Sequence, residues 1–219
     1  MYPSMVTQSN YKIVIDGANH SGKTSILRRI SRNTFVEKPT DTQPHIISHP
    51  VCIEGPRLIN LEIWDRVSAI ESKLLFENVN AAVFVYDISD RISYEKALKR
   101  LWKIRKRLEK EERKIVYALV GSKSDLIEYR EVQMEEALEQ AKEYGLDVCL
   151  EISSKTSVNI PGIFTIIARK LDRKTHSSST SSLLPNKIDP LLPKTTVTTS
   201  TNNPPSKLTK IANFLLCCR

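Results

Sequence analysis

The order of hydrophobic patterns predicts an α/β domain: a mostly parallel sheet covered by helices on both faces. Three observations lead to it. Short apolar runs alternate with amphipathic helical patterns along the first 171 residues, as expected for parallel strands joined by helical crossovers. A glycine-bearing stretch, Gly17-Ala18-Asn19-His20-Ser21-Gly22-Lys23-Thr24, stands where the first strand gives way to the first helix. One pair of strands is joined by Gly55-Pro56 instead of a helix, which adds a single antiparallel edge.

Taken in order, Tyr11 to Asp16 reads as the first strand and residues 23–32 as the first helix. Residues 33–45 are polar with two prolines and read as a loop. Residues 46–54 and 57–64 form the hairpin strands. Ala81 to Tyr86 is a continuous apolar run, the mark of a strand buried on both faces. Residues 91–113 read as a helix with Leu98, Leu101, Trp102 and Leu108 toward the core, and 115–120 as a strand. Residues 131–144 are helical and stop at Gly145, a suitable C-terminal cap. A strand over 147–152 and a helix over 160–171 complete the domain.

Three regions follow: an N-terminal extension, 1–10; a folded domain, 11–173; and a tail, 174–219. Residues 176–206 are rich in Ser, Thr, Pro and Asn. Such a composition cannot bury enough apolar area to offset its ordering entropy, so a disordered tail is expected. Apolar residues return between Leu208 and Leu216, just before Cys217-Cys218-Arg219.

The chain of 219 residues is 40% hydrophobic, enough for one sizeable core. Its four cysteines, Cys52, Cys149, Cys217 and Cys218, show neither metal-ligand spacing nor a disulfide framework, so a reducing compartment is expected. Residues 1–10 lack the basic and apolar regions of a signal peptide, Tyr2 stands where myristoylation needs Gly, and no apolar run reaches membrane-spanning length. The net charge is +8. From Lys174 onward six cations face Asp189 alone, a basic tail suited to anionic surfaces. The 91–113 segment carries Lys96, Lys99, Arg100, Lys103, Arg105, Lys106, Arg107 and Lys110. A solvated face is the ordinary reading, an acidic partner or anionic lipid the other. No base-reading nucleic-acid module is present.

The glycine stretch fits G-x-x-x-x-G-K-[ST] between a strand and a helix, the context that makes it a phosphate loop. Gly17 and Gly22 allow the backbone to curl so that its N–H groups point inward, and the helix N-terminus adds partial positive charge. Lys23 would reach the β- and γ-phosphates and the Thr24 hydroxyl would ligate Mg²⁺.

Further motifs follow in order: Ile63-Trp64-Asp65, Gly121-Ser122-Lys123-Ser124-Asp125-Leu126, Glu151-Ile152-Ser153-Ser154-Lys155-Thr156 and the terminal Cys-Cys-x. Together with the phosphate loop they resemble a Ras-superfamily small GTPase, most similar to the Rab branch, over residues 11–171. The resemblance implies the small G-protein version of the P-loop NTPase fold, with GTP/GDP and Mg²⁺ bound. The phosphates would lie on Gly17, Asn19, His20, Ser21, Gly22, Lys23, Thr24 and Ser25. Lys123 and Asp125 match N-K-x-D, in which the carboxylate accepts guanine N1–H and amino hydrogens and the lysine stem packs on the base. Ser122 replaces the usual Asn, which would shorten or remove one contact. Ser153-Ser154-Lys155 resembles S-A-K, whose backbone N–H caps guanine O6, and Phe35 falls where an aromatic ring meets the base. Thr24 and Thr42 would ligate Mg²⁺ with Asp65 holding a coordinated water; Thr40 is the alternative to Thr42, because Gln43-Pro44-His45 breaks the family's pattern there.

The largest departure is in switch two, where W-D-T-A-G-Q-E is replaced by Trp64-Asp65-Arg66-Val67-Ser68-Ala69-Ile70. Ser68 occupies the place of the glycine that contacts the γ-phosphate. Ala69 stands where a glutamine orients the attacking water, and its methyl group can neither donate nor accept a hydrogen bond. No catalytic residue is therefore assigned, and hydrolysis is expected to be slow. His20 replaces a small residue and either meets the γ-phosphate or faces solvent. The implied function is a Rab-type switch in vesicle traffic, monomeric, with effector and regulatory partners and no nucleic acid. It would sit on the cytoplasmic face of an intracellular membrane through geranylgeranyl groups on Cys217 and Cys218. The alternative is a guanine-nucleotide-binding scaffold that does not cycle. A kinase or ATPase is disfavoured by Lys123-Ser124-Asp125 and by the lack of a lid or acceptor-site signal.

Overall fold

The computed structural model describes residues 9–37, 46–53, 57–65, 72–109 and 114–176. Six strands, β1 (Ser9–Gly17), β2 (Ile46–Cys52), β3 (Leu58–Asp65), β4 (Ala81–Asp87), β5 (Val116–Ser122) and β6 (Val148–Glu151), form one sheet in the order β2-β3-β1-β4-β5-β6. Only β2 runs antiparallel, with His49 opposite Leu61, and it lies at the edge where the hairpin pattern places it. The remaining pairs are parallel: β1 with β3 and β4, then β4 with β5 and β5 with β6. Every residue of β4 and β5 is buried, as their uninterrupted apolar patterns require.

Among the described residues five α-helices accompany the sheet: α1 (Lys23–Arg32), α2 (Ser72–Leu75), α3 (Arg91–Leu108), α4 (Met134–Glu143) and α5 (Ile160–His176). Ile26 and Leu27 of α1 and Ile163, Phe164 and Ile167 of α5 share one core with Ile13, Ile15, Val83, Val85 and Val120. Strand side chains alternate between faces, so Val14 and Asp16 belong to the other side of β1. There α3 lies along β4 and β1, and α4 lies against β6. Among the described residues no helix is long and apolar enough to cross a membrane.

Several boundaries differ from the sequence expectation for identifiable reasons. The amides of Glu131 and Val132 both donate to Ile88 O, at 2.9 and 3.1 Å, so α4 begins only at Met134. At its other end Gly145 has φ +58°, its N–H donates to Lys142 O at 3.0 Å, and the Leu146 N–H donates to Ala141 O at 2.8 Å. This pair of bonds is a Schellman stop, formed at the expected glycine. Helix α5 continues past Leu171 to His176, and Lys174 within that extension donates to Ile115 O at 2.8 Å and pairs with Asp147 at 2.9 Å. On α3 the buried stripe is Tyr94, Ala97, Leu101, Ile104 and Leu108. Trp102 is one residue, about 100° of turn, away from Leu101, and is 55% exposed instead of core-facing. Two members of the cationic row are also not simply solvated. Arg100 turns inward to Asp16, and Arg105 donates to the Tyr144 carbonyl.

Candidate functional site

The carboxyl ends of the parallel strands β1, β3, β4, β5 and β6 lie along one edge of the sheet, where α/β sheets place their ligand crevices. The phosphate loop caps β1 in the middle of that edge. A Cβ built on Gly17 would stand 2.2 Å from Val85 O, so only glycine lets the loop approach β4. Gly22, at φ +89°, is the N-cap of α1 and turns the chain into the helix. The Lys23 ammonium folds back over the loop and donates to Ala18 O at 2.7 Å and Gly17 O at 3.3 Å. Burial lowers its pKa, opposed by the Asp65 and Asp16 carboxylates. Ser21 is buried beneath the loop, Asn19 is exposed, and His20 is exposed with φ +62° at the rim of the cavity.

A cavity of about 450 Å³ opens from this loop and reaches the turn after β5. His20, Gly22, Lys23, Thr24 and Ser25 line one end, and Lys123, Asp125, Ser154 and Lys155 line the other. Phe35 and Ser122 also line it, and the sequence did not anticipate Glu37 and Leu126 beside them. The two ends are tied directly. The Ser122 hydroxyl donates to Ser21 O at 2.7 Å, so the serine that replaces asparagine makes a link of its own.

At the β5 end, Lys123 adopts φ +58° and its ammonium pairs with Asp87 at 2.5 Å. The Ser153 hydroxyl donates to Asp125 Oδ1 at 2.5 Å and receives the Thr156 N–H at 3.1 Å. Ser153 is buried and does not line the cavity; it orients the carboxylate that does. Arg29 of α1 clamps the same region, donating from Nε to Ser154 O at 2.8 Å and from Nη2 to Lys155 O at 3.0 Å. Asp87 and Arg29 were not singled out from the sequence. The available signals were an acidic residue ending an all-apolar strand and an arginine in the last turn of a helix.

On the metal side, the Thr24 hydroxyl donates to Asp65 Oδ2 at 3.1 Å. A hydroxyl and a carboxylate held together beside a phosphate cradle suit Mg²⁺, which takes hard oxygen ligands, few of them from protein. Among the described residues no group of three or more His, Cys, Asp or Glu could hold a metal by itself. Thr40, Thr42, Arg66, Ser68, Ala69, Cys217 and Cys218 lie outside the described residues.

A family model described as Ras family matches residues 12–173. The chain is 32% identical over 168 residues to the Ras-related protein RABF2b of Arabidopsis thaliana, covering 75% of this chain and 82% of that protein. It is 32% identical over 168 residues to the Ras-related protein Rab-5A of Dictyostelium discoideum, covering 74% and 81%. It is 34% identical over 175 residues to the GTP-binding protein ypt5 of Schizosaccharomyces pombe, covering 77% and 81%.

The Ser122–Ser21 bond is buried and spans the two ends of the cavity. Ser122→Ala leaves the buried Ser21 carbonyl without that donor, a loss of about 1–3 kcal/mol. The expected result is a melting temperature lowered by about 2–12 °C for a domain of this size, read by circular dichroism. An unchanged midpoint would show that the bond contributes nothing.

Proposed function

The chain belongs to the Ras family, as a Rab-like small GTPase, and from that premise we propose that it is a guanine-nucleotide switch of the vesicle-traffic machinery with slow intrinsic GTP hydrolysis. It acts as a monomer on the cytoplasmic face of an intracellular membrane, with effector and regulatory proteins as partners and no role for nucleic acid. The domain of residues 11–173 binds GTP or GDP with Mg²⁺, and the tail of residues 174–219 tethers it.

One observation carries the guanine reading: Asp125 is fixed by Ser153 at the far end of the cavity that begins at Lys23. A carboxylate so placed accepts two guanine hydrogens that adenine does not offer in that arrangement. A main-chain N–H of the Ser154–Lys155 turn would cap O6, the Lys123 stem would pack along the base, and Phe35 would stand against it. Thr24 and Asp65 would hold Mg²⁺, with Thr42 from switch one; the ion neutralises charge on the phosphates when bound. GTP and GDP should bind far more tightly than ATP, and Asp125→Ala should remove about 2–5 kcal/mol of guanine affinity. Isothermal titration with the three nucleotides checks this; equal affinity for ATP and GTP in the parent protein would sink the assignment.

The second reading, a scaffold that binds guanine nucleotide and recruits effectors without cycling, is favoured by one feature. Ala69 offers no polar group to orient the attacking water, and Ser68 replaces the glycine beside the γ-phosphate. In single-turnover assays the parent should hydrolyse GTP slowly and Ala69→Gln should speed it. Rapid hydrolysis by the unmodified chain overturns the slow switch; no turnover in either protein favours the scaffold.

Cys217 and Cys218 supply two prenylation sites, as the Rab-type ending implies. One lipid chain gives only marginal binding, and stable anchoring takes two signals. Lys207 and Lys210 add attraction to an anionic leaflet, about 1 kcal/mol each. A coil of about 45 residues would span roughly 40 Å, long enough for a tether between the folded domain and the lipid chains. Changing both cysteines to Ser should move the protein from membrane to soluble fractions with guanine binding intact. A double variant that still sediments with membranes would show a different anchor.

A further inference from the structure

The last core position of β1 holds a carboxylate. Side-chain alternation sends Ile13 and Ile15 into the core with α1 and α5, and therefore sends Asp16 to the face beneath α3. Asp16 is only 3% exposed, one residue before the phosphate loop. A buried charge at this place is costly without a partner. It also lies where it would repel the phosphates the loop exists to hold.

Arg100, three residues past the buried Ala97 of α3, supplies a cationic partner. Its Nη1 donates to Asp16 Oδ1 at 2.6 Å, with the guanidinium side chain 35% exposed. The same Nη1 lies 3.2 Å from Gly17 O, the carbonyl that also accepts the Lys23 ammonium at 3.3 Å. The Gly17 N–H in turn donates to Asp16 Oδ1 at 2.7 Å. The N–H and C=O of the first loop residue are thus both held by this ion pair, and the phosphate-binding lysine shares one of its acceptors. Burial raises the Asp16 pKa, opposed chiefly by the Arg100 guanidinium.

We propose that Arg100 is a positioning residue for the nucleotide: through Asp16 and the Gly17 carbonyl it fixes the entry to the phosphate loop and cancels a negative charge beneath the phosphates. This rests on the guanine-nucleotide reading above. It makes α3, through its inward edge, a structural support of the phosphate site.

The two partners should then act on the nucleotide with opposite signs. Arg100→Met removes the guanidinium that offsets the Asp16 charge at the base of the phosphate loop and frees the Gly17 carbonyl from α3. Asp16→Asn keeps an acceptor for the Gly17 N–H, keeps Arg100 on the carbonyl, and leaves a net positive charge. The measurement is release of a fluorescent GDP analogue from the full-length chain, with melting temperatures recorded alongside. Arg100→Met should release GDP roughly tenfold faster or more, Asp16→Asn should release it no faster than the parent, and the double variant should fall between. A pair that serves stability alone would lower both melting temperatures and leave release unchanged, or speed it in both single variants; either result overturns the proposal. If Arg100→Met does not fold, Asp16→Asn and the double variant still decide it, because faster release from Asp16→Asn contradicts the charge argument. A parent that does not retain GDP overturns the nucleotide reading and this inference together, whereas a parent that retains it beside an unaffected Arg100→Met overturns this inference alone.

Discussion

The phosphate loop lies on the sheet edge because Gly17 has no side chain. It sits opposite Val85 in the β1–β4 ladder, and a Cβ would stand 2.2 Å from the Val85 carbonyl oxygen. A contact that short cannot be relieved by rotating a side chain, since backbone meets backbone on two buried central strands. With the loop held at that depth, its carbonyls face Lys23, the Ser21 carbonyl faces β5, and Gly22 starts α1. The Thr24 hydroxyl then falls beside the end of β3, 3.1 Å from Asp65. Moving the loop outward by the length of one bond would disturb each of these contacts.

Much of this architecture is legible in the sequence because it depends on local pattern. The first helix occupies Lys23–Arg32 as its amphipathic pattern indicates, the continuous apolar runs become the buried strands β4 and β5, and Gly145 stops α4. The phosphate-loop motif and the motifs after β5 and β6 contribute to one cavity because each follows a parallel strand at its carboxyl end. What escapes the sequence is pairing between distant residues. Arg100 looks like one more cation in a solvated row, yet it meets Asp16 across 84 positions. Lys123 meets Asp87 across 36, and Ser122 meets the Ser21 carbonyl across 101. Periodicity says which face of an element is buried, but not which polar group crosses from one element to another. Trp102 shows the related error: its size suggests the core, while its angular position beside Leu101 assigns it to solvent.

The carboxylates at the sheet edge show how a phosphate site tolerates buried negative charge. Asp16 has Arg100, Asp87 has Lys123, and Asp65 has the Thr24 hydroxyl with the Lys23 ammonium nearby. Each acid is matched by a donor from a different element, so the charges that brace the loop do not sum against an anionic ligand. Buried ion pairs are weak evidence for stability, because desolvation offsets most of their attraction. Their value here lies in geometry, since every pair joins a motif-bearing loop to a neighbouring helix or strand.

The departures from the Rab pattern can be ordered by what each position must provide. At Ser122, where an asparagine is usual, the shorter hydroxyl donates to the Ser21 carbonyl at 2.7 Å and ties the phosphate loop to the end of β5. At Ser154 the requirement falls on the main chain, whose carbonyl is fixed by Arg29, so the added hydroxyl changes little. His20 bears a left-handed φ of +62° at the cavity rim, a backbone cost that a side chain exposed to solvent leaves unrelieved. Ala69 differs in kind. In the proposed reading its position must present a polar side-chain atom to water, and a methyl group has none to present. Binding is a sum of many replaceable contacts, whereas hydrolysis depends on a few groups in register. In the proposed reading, a chain that keeps the first and alters the second would hold guanine nucleotide longer than it consumes it.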